Sequence, residues 1–124
     1  MKQIISTNKA PQAIGPYSQA IKTDNLIFCS GQIPLCADGT LVEGNIEEQT
    51  KQVINNLQSI LKAANSGLDK IVKVTIYLID LNDFQTVNQI YGSYFTQNPP
   101  ARATIQVSAL PKGAKIEIEA IALA

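Results

Sequence analysis

A single arginine, Arg102, stands among ten basic residues, the other nine being lysines. It follows the breaker run Asn98, Pro99, Pro100 and opens the segment ARATIQV, whose apolar residues alternate as in a strand. A guanidinium is a planar fork of five donors that meets a carboxylate or phosphate in two parallel bonds, which a lysine ammonium does not do. The bland alternative is a surface charge or one half of a structural ion pair. Histidine is absent, which removes the usual zinc ligand, the usual general base and every Ser-His or Cys-His arrangement. Cys29 lies in the apolar run LIFC and Cys36 in the loop after Pro34, without metal-type spacing, so both read as free thiols. Chemistry is left to carboxylates, hydroxyls, backbone groups and one guanidinium, with no metal and no organic cofactor expected.

The elements that position these groups follow from periodicity and breakers. SQAIKT and LIFCSG, separated by Asp24 and Asn25, read as a hairpin, and the stretch from Gln32 to Gly44, with Pro34 and Asp38-Gly39, reads as loop. Asn45 is a helix cap with Glu48 three residues on, and the helix runs to about Asn65 and stops at Gly67. Ile46, Val53, Ile54, Leu57, Ile60, Leu61 and Ala64 share one face of it. KIVKVTIYLI follows as a strand with Val72, Val74, Ile76 and Leu78 toward the core and Ile71, Tyr77 and their neighbours on the other face. A second helix starts near Asn82, carries Phe84, Val87, Tyr91, Tyr94 and Phe95 on one side and ends before Asn98. Asn88 lies beside that apolar face, where a helix-to-loop hydrogen bond is a stronger expectation than a ligand contact.

In the last two strands Ile116, Ile118, Ala120 and Ala122 form an apolar face opposite Glu117, Glu119 and Ile121, while Arg102, Thr104 and Gln106 oppose Ala103, Ile105 and Val107. The short connection from Ser108 to Gly113 predicts a hairpin that sets Arg102 beside Glu117 on the sheet face the helices leave open. The sum is an α+β fold, a mixed sheet with two helices on one face. Its open face is half apolar through Ile71, Tyr77 and Ile121, so self-association, with a site built between subunits, is expected.

Bulk composition narrows the partners. A chain of 124 residues fits one domain, 1–124, with a real core. Ten acidic residues balance ten basic ones and no basic stripe forms, which disfavours nucleic acid. No apolar run is long enough to cross a bilayer and MKQIISTNKAP lacks a signal-peptide core, so a cytoplasmic protein without membrane attachment is expected.

IGPYSQAI, SGQIPL, EEQTKQVINNL, VNQIYGSYF, PARATIQV and LPKGAKIEIEAIA, in this order and spacing, resemble the RidA (YjgF) family of imine and enamine deaminases from end to end. The resemblance implies a chorismate-mutase-like protomer, a homotrimer with an inner barrel, and clefts between subunits. It implies 2-aminoacrylate and 2-aminocrotonate, or their imine tautomers, as substrates, with Arg102 binding the carboxylate, Glu117 holding the attacking water and Tyr17 orienting the water or ammonia. Ser30, Gly31, Asn88 and Thr104 match further cleft positions, Thr104 standing where many members have cysteine. Read without the resemblance, Tyr17 is a packing residue, Ser30 a turn residue at a strand end and Glu117 a solvated sheet charge. Members of the family have also been credited with ligand-sensing and chaperone-like roles, so a non-catalytic small-acid-binding regulator is the competing expectation, with RNA cleavage a distant third.

Overall fold

The computed structural model describes all 124 residues. Six strands and two α-helices succeed one another as β1 (Gln3–Ile5), β2 (Ala20–Lys22), β3 (Leu26–Gln32), α1 (Ile46–Ala63), β4 (Ile71–Leu78), α2 (Phe84–Tyr94), β5 (Ala101–Gln106) and β6 (Ile116–Leu123). They form one mixed sheet in the order β1-β2-β3-β6-β4-β5. The expected α+β class and the β2–β3 hairpin are borne out, and the short edge strand β1 is an addition. One 3-10 turn, Leu81–Asp83, precedes α2, so the α-helix proper starts at Phe84 rather than near Asn82.

Helix α1 forms where its cap and stripe place it. The Glu48 amide donates to Asn45 Oδ1 at 3.0 Å, a cap worth about 1 kcal/mol. All seven residues of its apolar stripe are buried, against β3, β6 and α2. Ile116, Ile118, Ala120 and Ala122 of β6 face them, as their alternation requires. A fully buried Ile or Leu contributes about 1.5–3 kcal/mol, so this helix-on-sheet layer carries the hydrophobic stabilisation. Polar residues enter the layer with partners: Asn56 Nδ2 donates to the Leu35 carbonyl at 2.9 Å, while Gln49 donates to Val42 and accepts from the Lys115 amide.

Three expectations about the strands are corrected. β5 and β6 do not form a hairpin: β6 pairs antiparallel with β3 on one side and β4 on the other, so both its edges are taken. β5 instead reaches the outer edge of β4, in parallel register after the α2 crossover. Register with β4 then decides which way β5 points. Arg102 pairs with Val74 and Thr104 with Ile76, so Arg102, Thr104 and Gln106 lie on the helix-covered face rather than the open one. Finally, an extra residue in β4 between Ile71 and Lys73 flips the alternation, which buries Ile71 and exposes Val72.

The open face carries Phe28, Lys73, Thr75, Tyr77, Ile105, Glu117, Glu119 and Ile121. Phe28 and Ile105 are 44% and 46% exposed there.

Candidate active site

A second bulge builds one end of the site. Between Cys29 and Gln32, β3 gains a residue relative to β6, so the chain at Ser30-Gly31 leaves the regular ladder directly over Glu117. Gly31 lies so close that a Cβ there would stand 2.4 Å from Glu117 Oε2 and 2.8 Å from its Cδ. The absence of a side chain is what lets the carboxylate lie against the strand. Burial, and then the neighbouring charge of Glu119, raises the pKa of Glu117 above the ordinary carboxylate value. The Tyr77 hydroxyl donates to Glu119, which pushes the phenol up to about 12.

Gly31 and Tyr17 line a cavity of about 330 Å³ together with Gln12, Gln19, Gln32 and Lys112. The IGPY loop that carries Tyr17 is tied down by buried Gln19, whose amide donates to the Pro11 carbonyl at 2.7 Å and accepts from the Thr7 amide at 2.7 Å. Tyr17 remains 53% exposed, its hydroxyl accepting from the Ile14 amide at 3.2 Å, so it is no packing residue. Lys112 enters from the turn Pro111–Gly113 with a left-handed backbone, φ 58°.

Arg102 stands apart from this group. β4 separates β5 from β6, and Arg102 points to the helix face while Glu117, opposite Tyr77, points to the open one. Within the chain the guanidinium has no carboxylate partner, the one ion pair being that of the N-terminus with Asp24. It lies instead over the rings of Tyr91 at 5.0 Å and Phe84 at 5.6 Å. Two residues along, Thr104 lines an open depression with Leu81, Asn82, Phe84 and Gln85, and its hydroxyl is buried without a hydrogen-bond partner. A structural ion pair is therefore not what Arg102 is for inside one protomer.

The remaining positions divide. The Ser30 hydroxyl donates to the Ser18 carbonyl at 2.5 Å and so braces the bulge against the segment after Tyr17. Asn88 is half-buried on α2, without the expected helix-to-loop hydrogen bond and outside both cavities. Sequence reasoning passed over Gln19 and Lys112. A glutamine just before a short strand carries no distinctive pattern, whereas Pro-Lys-Gly announces a tight turn that aims one cation outward. One protomer thus holds the candidate residues in two separate groups, Tyr17, Gly31 and Glu117 on one side and Arg102 and Thr104 on the other.

Residues 7–124 match the family model described as endoribonuclease L-PSP. The chain is 54% identical over 122 residues to a RutC family protein of Pyrococcus abyssi, covering 98% of this chain and 96% of that one. It is 53% identical over 124 residues to a human 2-iminobutanoate/2-iminopropanoate deaminase, covering 99% and 90%. The crystal structure of E. coli TdcF with bound serine superposes with a TM-score of 0.94 at 39% identity, covering 98% of each chain. With the whole domain, the bulge over Glu117 and the unpaired Arg102 in place, the chain belongs to the endoribonuclease L-PSP family, also known as the RidA (YjgF) family.

Proposed function

We propose that this protein hydrolyses reactive 2-imino acids, the tautomers of 2-aminoacrylate and 2-aminocrotonate released by pyridoxal-phosphate enzymes, to 2-keto acids and ammonia. The observation that carries the reading is an arginine held half-buried on aromatic rings with no carboxylate of its own. Relatives more than 50% identical along the whole chain bear the name of this activity. The serine bound by E. coli TdcF has a carboxylate next to a nitrogen-bearing carbon, the same arrangement as a 2-imino acid.

Arg102 grips the substrate carboxylate in two parallel charge-assisted bonds, each worth about 1.5–3 kcal/mol. Water held by Glu117 adds to the C=N carbon. One of its protons goes to the imine nitrogen, giving a carbinolamine; the hydroxyl proton then passes to that nitrogen as the C–N bond breaks, releasing ammonia and leaving the ketone. A Glu117 with a raised pKa exchanges a proton with that water more readily than an ordinary carboxylate does. Tyr17 orients the water or the departing ammonia from the cavity wall, and Gly31 admits the substrate close to the main chain. The Thr104 hydroxyl, buried and unpartnered, is available to the carboxylate end. Ser30 braces the bulge, and Asn88 of α2 is the remaining substrate-binding position in this reading. No protein-bound metal or cofactor is required by these steps.

Arg102 and Glu117 act on one substrate only if they come from neighbouring copies, so the working form is a homo-oligomer, a trimer whose sheets line an inner barrel with the open faces inward. The half apolar open face, with Phe28 and Ile105 exposed, supports this assembly. Balanced charge and the lack of histidine weigh against the ribonuclease activity in the family description. The absence of any long apolar helix fits a cytoplasmic enzyme.

The test is release of 2-ketobutyrate from imine generated by a threonine dehydratase, with semicarbazide competing for the imine. The wild type accelerates release, while Arg102→Lys, which loses the fork, falls by about 10–100-fold. Saturable 2-ketobutyrate binding with no acceleration by the wild type would instead make the protein a non-catalytic regulator.

A further inference from the structure

An arginine without an ion pair has a long, rotamer-rich side chain that must be held by something else if it is to meet a carboxylate at a fixed angle. Nothing on its own face of β5 does this, since Thr104 and Gln106 lie further along the strand and Val74 is its apolar neighbour on β4. What surrounds the guanidinium is aromatic and comes from α2. Phe95 stacks on Tyr91 with ring centroids 4.4 Å apart, Tyr91 presents its ring to Arg102 at 5.0 Å, and Phe84 approaches the guanidinium at 5.6 Å. The negative faces of these rings attract the cation without neutralising it, which a carboxylate partner would do. The Tyr91 hydroxyl takes no part, being buried with no hydrogen-bond partner.

We propose that Phe84 and Tyr91, the latter backed by Phe95, are positioning residues that fix the guanidinium of Arg102 by cation–π contact and keep its charge free for the substrate carboxylate. The proposal rests on Arg102 being the carboxylate partner in the proposed reaction. It gives α2 a role in affinity for anionic ligands besides covering the sheet. It also assigns the Tyr91 ring, rather than its hydroxyl, the function.

The experiment compares binding of 2-ketobutyrate and of its uncharged amide to the full-length protein by calorimetry, so that the ratio of the two affinities reports the carboxylate clamp alone. Phe84 is 37% exposed, so Phe84→Leu folds with little loss of stability and is the primary variant; Tyr91, 6% exposed, is replaced by both Phe and Leu. Phe84→Leu and Tyr91→Leu each lower the preference for the carboxylate several-fold, toward tenfold, while Tyr91→Phe retains most of it. A purely structural role would lower melting temperature and weaken both ligands alike, leaving the ratio unchanged; that result, or a Tyr91→Phe ratio as low as that of Tyr91→Leu, overturns the proposal. Arg102→Ala separates the two levels. If it abolishes the preference while Phe84→Leu and Tyr91→Leu keep it, only the aromatic positioning falls; if it too keeps the preference, the carboxylate clamp falls as well.

Discussion

Gly31→Ala is the smallest change that tests how closely the site is built. The added methyl carbon would lie 2.4 Å from Glu117 Oε2, 2.8 Å from Cδ and 3.1 Å from Cγ, where ordinary contact begins at 3.4 Å. The carboxyl group must therefore retreat by about 1 Å. Backbone strain does not enter, because the left-handed glycines are Gly15, Gly39 and Gly113 and not Gly31. The displaced atoms are the far end of a flexible side chain, and replacing glycine by alanine restricts the unfolded chain by about 0.4–1 kcal/mol, so net stability changes little. A misplacement of about 1 Å in a group that positions a reactant costs on the order of 100-fold in rate. The assay is 2-ketobutyrate release as above, paired with thermal melting. Gly31→Ala should melt within a few degrees of the wild type and lose about two orders of magnitude in kcat. In a Glu117→Ala background it should cost almost nothing further, because the group it displaces is gone. Full activity in Gly31→Ala would refute the claim that Glu117 acts from the position it holds against the strand.

Two further outcomes are expected. Burial raises the pKa of Glu117, so the folded state holds its proton more tightly than the unfolded state and stability declines as pH rises from the free carboxylate range through the folded value. Glu117→Gln should accordingly be more stable than the wild type in urea at pH 7, with the gap closing below about pH 4, the free glutamate value; a gap independent of pH would contradict it. Burial also pushes the Cys29 thiol up to about 12, whereas Cys36 is half-buried in a surface loop. An aromatic disulfide reagent should therefore titrate one thiol in the native protein and the second only after unfolding, and Cys36→Ser should abolish the native reaction.

What was legible in the sequence was local. The cap at Asn45, the apolar stripe of α1 and the alternation of β6 are each set by neighbours within a few residues, and the structure keeps them. Pairing partners are not local. The connection 107–115 is short enough for a hairpin, but β4 occupies the β6 edge that β5 would need, and no feature of either strand announces that competition. The bulge at Ile71–Lys73 is equally silent, since one extra residue reverses the faces without changing composition. The same limits apply to the site. Arg102 stood out by type alone, and Tyr17, Gly31 and Glu117 came from the family resemblance. Their division into two groups depends on strand order and face, as does the helix-ward direction of Arg102.

That division gives the most direct test. Arg102→Ala and Glu117→Ala should each be inactive as pure proteins. Mixed in equal amounts through unfolding and refolding, they should recover roughly a quarter of wild-type activity, because in a cyclic oligomer about one interface in four then joins an intact Arg102 to an intact Glu117 from the next copy. Recovery near that fraction is the result expected of a deaminase cleft shared between copies. No recovery in a mixture whose assembled state matches the wild type would contradict it and return both residues to a single protomer.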